Sequence, residues 1–167
     1  MTPSDATDTA NTAKPANTAR PANTAKPAIE GWFTLDDKNP ALLGSRCTVC
    51  STYVFPPATL GCPNPACESD TFETVELSRR GKIWSYTDAR YQPPAPYVAA
   101  DPYEAFCIAA VELDKEKLVV LGQVQAPFTV GDLHVGMDVE LVLDTLNAKA
   151  EDGSDLVIWK WRPHDHE

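Results

Sequence analysis

The sequence predicts a mainly β fold: a small cysteine-held ribbon followed by a five-stranded barrel, with a short helical segment leading in. Two observations carry this. Four of the five cysteines fall between positions 47 and 67, as two short-spaced pairs. From residue 81 onward, apolar residues recur in five separate strand-like runs divided by turn residues.

The N-terminal part, residues 1–28, reads as a disordered tail. Three consecutive hexamers, at 11–16, 17–22 and 23–28, each spell Asn-Thr-Ala-(Lys or Arg)-Pro-Ala. A tract with no large apolar residue and a proline at every sixth position cannot bury enough surface to offset the cost of ordering the chain. A solvated tether is the expectation, and a docking peptide the alternative. Order is expected from Ile29, with Trp32, Phe33, Leu35, Leu42 and Leu43 as the apolar positions of an irregular helix.

Residues 29–80 make up the lead-in and the ribbon. Cys47 and Cys50 are separated by two residues, Cys62 and Cys67 by four, and eleven residues lie between the pairs. Such pairs place two thiolates on each of two tight turns, and four thiolates form the closed tetrahedral shell that structural zinc prefers. One structural Zn2+ is therefore expected, with no open position for a substrate water. Iron in the same shell is the alternative and would make an electron carrier. A stretch so rich in proline and small residues has little core of its own, so the metal must hold it.

Residues 81–167 read as the barrel. Strands are expected at 82–87, 106–113, 118–124, 137–143 and 156–162. In the first, Ile83, Ser85 and Thr87 are expected on one face, with Trp84 and Tyr86 on the other. Residues 114–117 form a tight polar hairpin turn between the second and third runs. Five strands with long links after the first, third and fourth suit a partly open barrel of the OB type; an immunoglobulin-like sandwich would need about seven.

Charge and the remaining reactive residues narrow the function. The formal charge is −10, of which residues 81–167 carry −8. A barrel this acidic repels phosphate backbones, so nucleic acid is a poor partner. Among residues 79–82, Arg79, Arg80 and Lys82 form the one local basic cluster of the acidic half, suited to an acidic patch on a partner or to ligand phosphates, or equally to solvating the junction of the two domains. Trp84, Tyr86, Tyr97 and Phe106 belong to an aromatic concentration around the first strand and its proline-rich loop, and are candidate ligand or partner contacts. Cys107 stands alone in a strand without a nearby base and reads as a buried small hydrophobe. His134, His164 and His166 form no constellation, and no catalytic set is visible. No apolar run of about 18 residues is present, so a cytoplasmic protein without membrane contact is expected.

These residues also carry a family resemblance. Leu42-Leu43-Gly44-Ser45-Arg46-Cys47-Thr48-Val49-Cys50, followed by Tyr53-Val54-Phe55-Pro56-Pro57 and the second cysteine pair, resembles the rubredoxin-like zinc ribbon of a bacterial and archaeal family of zinc-ribbon/OB-fold proteins, long known as a domain of unknown function. Gly81-Lys82-Ile83-Trp84-Ser85-Tyr86-Thr87, Pro96-Tyr97, Ala110-Val111-Glu112-Leu113, Val135-Gly136-Met137-Asp138-Val139 and Trp161-Arg162-Pro163 agree with its barrel. The similarity spans about residues 29–163. Two departures stand out: Ser51 occupies the usual glycine position of the first knuckle, and the second cysteine pair is spaced by four.

Characterised members of that family are small subunits of thiolase-like enzymes, including thiolases of lipid metabolism and retro-aldolases that shorten steroid side chains. The resemblance thus implies a non-catalytic subunit that binds a thiolase-like partner as a hetero-tetramer and assists acyl-CoA binding or channelling. The alternatives are a single-stranded nucleic-acid module, which would need a basic groove, and a self-sufficient acyl-CoA enzyme, which would turn over substrate by itself.

Overall fold

Alternating burial organises the barrel strands of the computed structural model, which describes residues 25–92 and 101–164. In chain order the strands are β1 (Ala25–Pro27), β2 (Leu43–Cys47), β3 (Tyr53–Val54), β4 (Phe72–Glu76), β5 (Arg80–Ala89), β6 (Phe106–Leu113), β7 (Val119–Val124), β8 (Asp138–Lys149) and β9 (Asp155–Pro163), with one 3-10 turn at Val130–Asp132. β9, β7, β6, β5 and β8 pair in that order, and β8 pairs back onto β9, closing the five-stranded barrel. β7 meets β9 in parallel, at Gln123 with Lys160 and Val124 with Trp161, whereas the other barrel pairs are antiparallel. This is the OB arrangement expected from the sequence.

Alternate side chains of these strands enter one core, with an interruption in β5. Ile83, Val111, Leu113, Leu141, Val157 and Trp161 are all at most 1% exposed. Gly81 lies where β5 pairs with both β6 and β8; a Cβ there would stand 2.3 Å from the Glu112 carbonyl oxygen, so only glycine fits the crossing. The 114–117 turn is a hairpin as expected, with Lys117 at φ 56° and its N–H donating to the Leu113 carbonyl at 3.1 Å.

Three expectations are corrected. The alternation predicted for the first strand breaks at a β-bulge: Ile83 pairs with Val111 but Ser85 pairs with Ala110, leaving Trp84 as the extra residue. The phase therefore inverts. Ile83 is buried and Tyr86 packs against the core, while Trp84, Ser85 and Thr87 are exposed.

No α-helix occurs among the described residues, so the lead-in is not helical. Asp36 Oδ1 accepts the N–H groups of Lys38 (2.9 Å) and Asn39 (3.1 Å), a local turn that competes with helix, and Pro40 follows it. Phe33 and Leu42 bridge instead as an antiparallel pair, Leu43 N–H donates to the Trp32 carbonyl at 2.8 Å, and Leu77 N–H donates to the Leu42 carbonyl at 2.9 Å. Trp32 and Phe33 are thereby laid on Trp159 of the barrel, with ring centroids 6.2 and 5.6 Å away.

The third correction concerns residues 25–28 of the expected tail. Ala25–Pro27 already pair in parallel with Asp155–Val157 at the β9 edge, and Ala28 N–H donates to the Val157 carbonyl at 2.7 Å. The third hexamer thus ends in a strand. The first two hexamers lie outside the described residues.

Candidate metal centre and partner-facing residues

The ribbon is a three-stranded sheet in the order β3-β2-β4, with a cysteine turn at each end of the metal site. In the first turn Cys47 N–H donates to the Thr52 carbonyl (2.9 Å) and Ser51 N–H to the Cys47 carbonyl (3.0 Å). Ser51 sits at φ 62°, the left-handed conformation that explains why glycine is usual there. Its hydroxyl accepts from Arg46 at 2.9 Å, and Arg46 also reaches Glu73 at 3.1 Å, which ties the strained residue to β4. In the second turn the four-residue spacing is spanned by Cys67 N–H donating to the Asn64 carbonyl (2.9 Å), with Cys62 N–H donating to Ser69 (2.8 Å). Thr48 N–H donates to the Thr71 carbonyl at 3.1 Å and joins the two halves.

The result places all four sulfurs within 4.8 Å of one another, Cys47 to Cys67 at 3.9 Å and Cys50 to Cys62 at 3.5 Å. A tetrahedron of metal–sulfur bonds of about 2.3 Å has edges of about 3.8 Å, so the donor set fits zinc. The thiols are also electrostatically unequal. Hydrogen bonds from Thr52, hydroxyl first and then N–H, pull Cys50 down to about 6. The N–H groups of Cys50 and Val49 lower Cys47. Although Asn64 favours its thiolate, burial and the neighbouring thiols push Cys62 up to about 12, and Cys67 is raised likewise against the pull of Ser69. Four thiolates this close cannot all stand ionised without a cation between them.

Cys107 lies in the barrel core at 6% exposure, and burial, with the Asp88 and Asp132 carboxylates, raises its thiol. The basic cluster is largely used internally. Arg79 donates to Lys38 O (3.3 Å) and Asn39 Oδ1 (3.1 Å) and lies 3.7 Å from Glu140, clamping the lead-in to the barrel. Lys82 pairs with Asp138 at 2.6 Å. Arg80 is exposed beside them. Glu140, 9% exposed, is the hub: Arg162 binds it through two N–H groups and His164 lies 3.6 Å away.

Of the aromatic candidates, Trp84 is 62% exposed, Tyr86 and Phe106 are half-buried, and Tyr97 lies outside the described residues. His134 is exposed, and His166 also falls outside the described residues. Sequence reasoning passed over Val49, Leu60, Val119 and Leu121, exposed by 72, 82, 46 and 65%. For Val119 and Leu121 a signal existed, since the run Val119-Val120-Leu121 is apolar on both faces of its strand.

Comparison with known proteins assigns both halves. Residues 38–73 match the rubredoxin-like zinc ribbon domain of ChsH2, and residues 74–144 its C-terminal OB-fold domain. The chain is 32% identical over 128 residues to a DUF35 domain-containing scaffold protein of Methanocaldococcus jannaschii, covering 73% of this chain and 81% of that one. It is 32% identical over 128 residues to the benzoylsuccinyl-CoA thiolase subunit BbsA of Thauera aromatica, covering 76% and 79%. Among solved structures it matches a chain of the Ltp2-ChsH2(DUF35) aldolase with a TM-score of 0.56 and 30% identity, over 83% of this chain and 98% of that one. A ribbon with a complete thiolate shell, running into a five-stranded OB barrel and shared with these relatives over most of their length, makes this chain a member of the ChsH2 (DUF35) family of zinc-ribbon/OB-fold proteins.

Proposed function

We propose that the chain is a non-catalytic accessory subunit: it binds and stabilises a thiolase-like partner, a thiolase or a retro-aldolase, and assists the binding or channelling of acyl-CoA in lipid or steroid side-chain metabolism. The observation that carries this reading is the similarity, across most of the chain, to one protein named as a thiolase subunit and one found in a two-protein aldolase. The internal chemistry supports it. Four thiols form the metal cluster and the fifth is in the core, so the described cysteines are committed to structure. The partner then supplies the reacting groups, and the assembly contains two copies of each chain.

The test is co-expression with a thiolase-like protein from the same organism. A stable hetero-tetramer is expected, together with loss of solubility or activity when the partner is made alone, because an obligate interface of about 2,000 Å² or more leaves neither surface fit for water. A partner that is soluble and fully active alone, with no complex at micromolar concentration, would overturn the proposal.

A further inference from the structure

We infer that the outer face of β5, β6 and β7 is the surface on which the thiolase-like partner sits, with Trp84 and Leu121 as its two anchors; this rests on the accessory-subunit reading above. The register places the residues. The bulge leaves Trp84 beside Ser85, Ser85 pairs with Ala110, and Ala110 pairs with Leu121. Trp84 and Leu121 therefore rise on either side of a small residue, about 10 Å apart as two strand spacings. Ile108 and Val119 continue the face along β6 and β7, by the same alternation that turns Cys107, Ala109, Val111 and Val120 inward. Large residues exposed by 62 and 65% over an alanine floor make ridges and a trough, the shape that receives a row of apolar side chains.

Charge selects the kind of partner. The chain as a whole carries −10, yet charged groups at both rims of this face stand in ion pairs. On one rim Lys82 binds Asp138 at 2.6 Å and Lys117 lies 3.5 Å from Glu112; on the other Lys160 binds Asp144 at 2.9 Å. An apolar island bordered by lysines that are each held by a carboxylate, with Arg80 the exposed cation beside it, gives a phosphate backbone little to grip, and it can be covered by an uncharged protein surface with little unpaired charge to desolvate. The face is also held from behind, since the Trp159 indole N–H donates to the Leu121 carbonyl at 3.2 Å, so little ordering is left to be done on docking.

The experiment uses the co-expressed full-length complex. Trp84→Ala and Leu121→Glu should each weaken partner binding at least about 30-fold, as expected for central anchors, while the melting temperature and zinc content of the free chain stay unchanged. Val49→Glu, at an exposed position on the ribbon, should bind as wild type. A photo-crosslinker at position 121 should join the partner. If wild type forms the complex but both barrel variants bind normally, the face is wrong and the accessory role stands. If wild type forms no complex, the accessory role itself fails. A homodimer of the free chain abolished by Leu121→Glu, or oligothymidylate binding abolished by Trp84→Ala, would overturn the inference in favour of a second copy or a nucleic acid.

Discussion

The Trp159 indole N–H donates to the Leu121 carbonyl at 3.2 Å, across the part of the barrel where β7 and β9 have not yet begun to pair. The same indole carries Trp32, Phe33 and Phe55 on ring contacts of 5.6 to 6.2 Å, so one side chain links the exposed strand to the ribbon. The space it needs comes from Gly122, where a Cβ would stand 2.7 Å from Trp161 Nε1 and 2.9 Å from Trp159 Nε1.

Gly122→Ala should therefore cost about 1–3 kcal/mol, because neither indole can withdraw from a packed core. Chemical denaturation reads the loss, and an unchanged midpoint would show that the indoles yield more easily than their packing implies.

One zinc per chain is expected by elemental analysis. Cys47→Ser or Cys62→Ser, or stripping with a strong chelator, should unfold the ribbon, since structural zinc supplies on the order of 10 kcal/mol of apparent folding free energy in small sites. The effect should reach the barrel, because Leu42, Leu77 and Phe33 of the ribbon half belong to the common core. A red, iron-loaded protein would instead support electron transfer.

Acid should weaken the junction through Glu140. Burial opposes its charge, but the Arg162 hydrogen bonds, with Arg162, His164 and Arg79 as cations, hold its carboxyl below the ordinary 4.5. A depressed native value means that this contribution is fully present above about pH 4.5 and is lost as pH falls through the lowered value. Glu140→Gln should cost about 1–2 kcal/mol at neutral pH and flatten the acid limb of the stability profile. If the profile keeps its full slope in the variant, other carboxylates govern acid unfolding.

Deleting residues 1–22 should leave thermal stability and zinc content unchanged. Deleting residues 1–28 should lower the melting temperature by a few degrees, because it removes β1 and the pairing of Lys26 with Asp152 at 2.5 Å, and uncovers the β9 edge. Equal melting temperatures would show that β1 contributes nothing.

By itself the sequence determined which four cysteines come together, the order of ribbon and barrel, and four of the five barrel strands to within about two residues, while β8 runs to Lys149, well past its expected end at residue 143. Those features are local: cysteine spacing sets a knuckle, and a two-residue period sets a strand, wherever they stand in the chain. The Ser51 departure was legible as a serine at the usual glycine position, while its left-handed backbone was seen only in the fold. Tertiary structure alone decided the rest. The inversion at Trp84 arises from how β5 must pair with β6, and local alternation carries no record of the partner's register. The lead-in became a bridge because Leu42 and Leu43 are required by the sheet, and Ala25–Pro27 became a strand because β9 had an open edge there. Arg79 looked like a free cation until folding brought Glu140 beside it from sixty-one residues away. Each of these outcomes depends on a neighbour distant in sequence, and a pattern read along the chain holds only what nearby residues impose on one another.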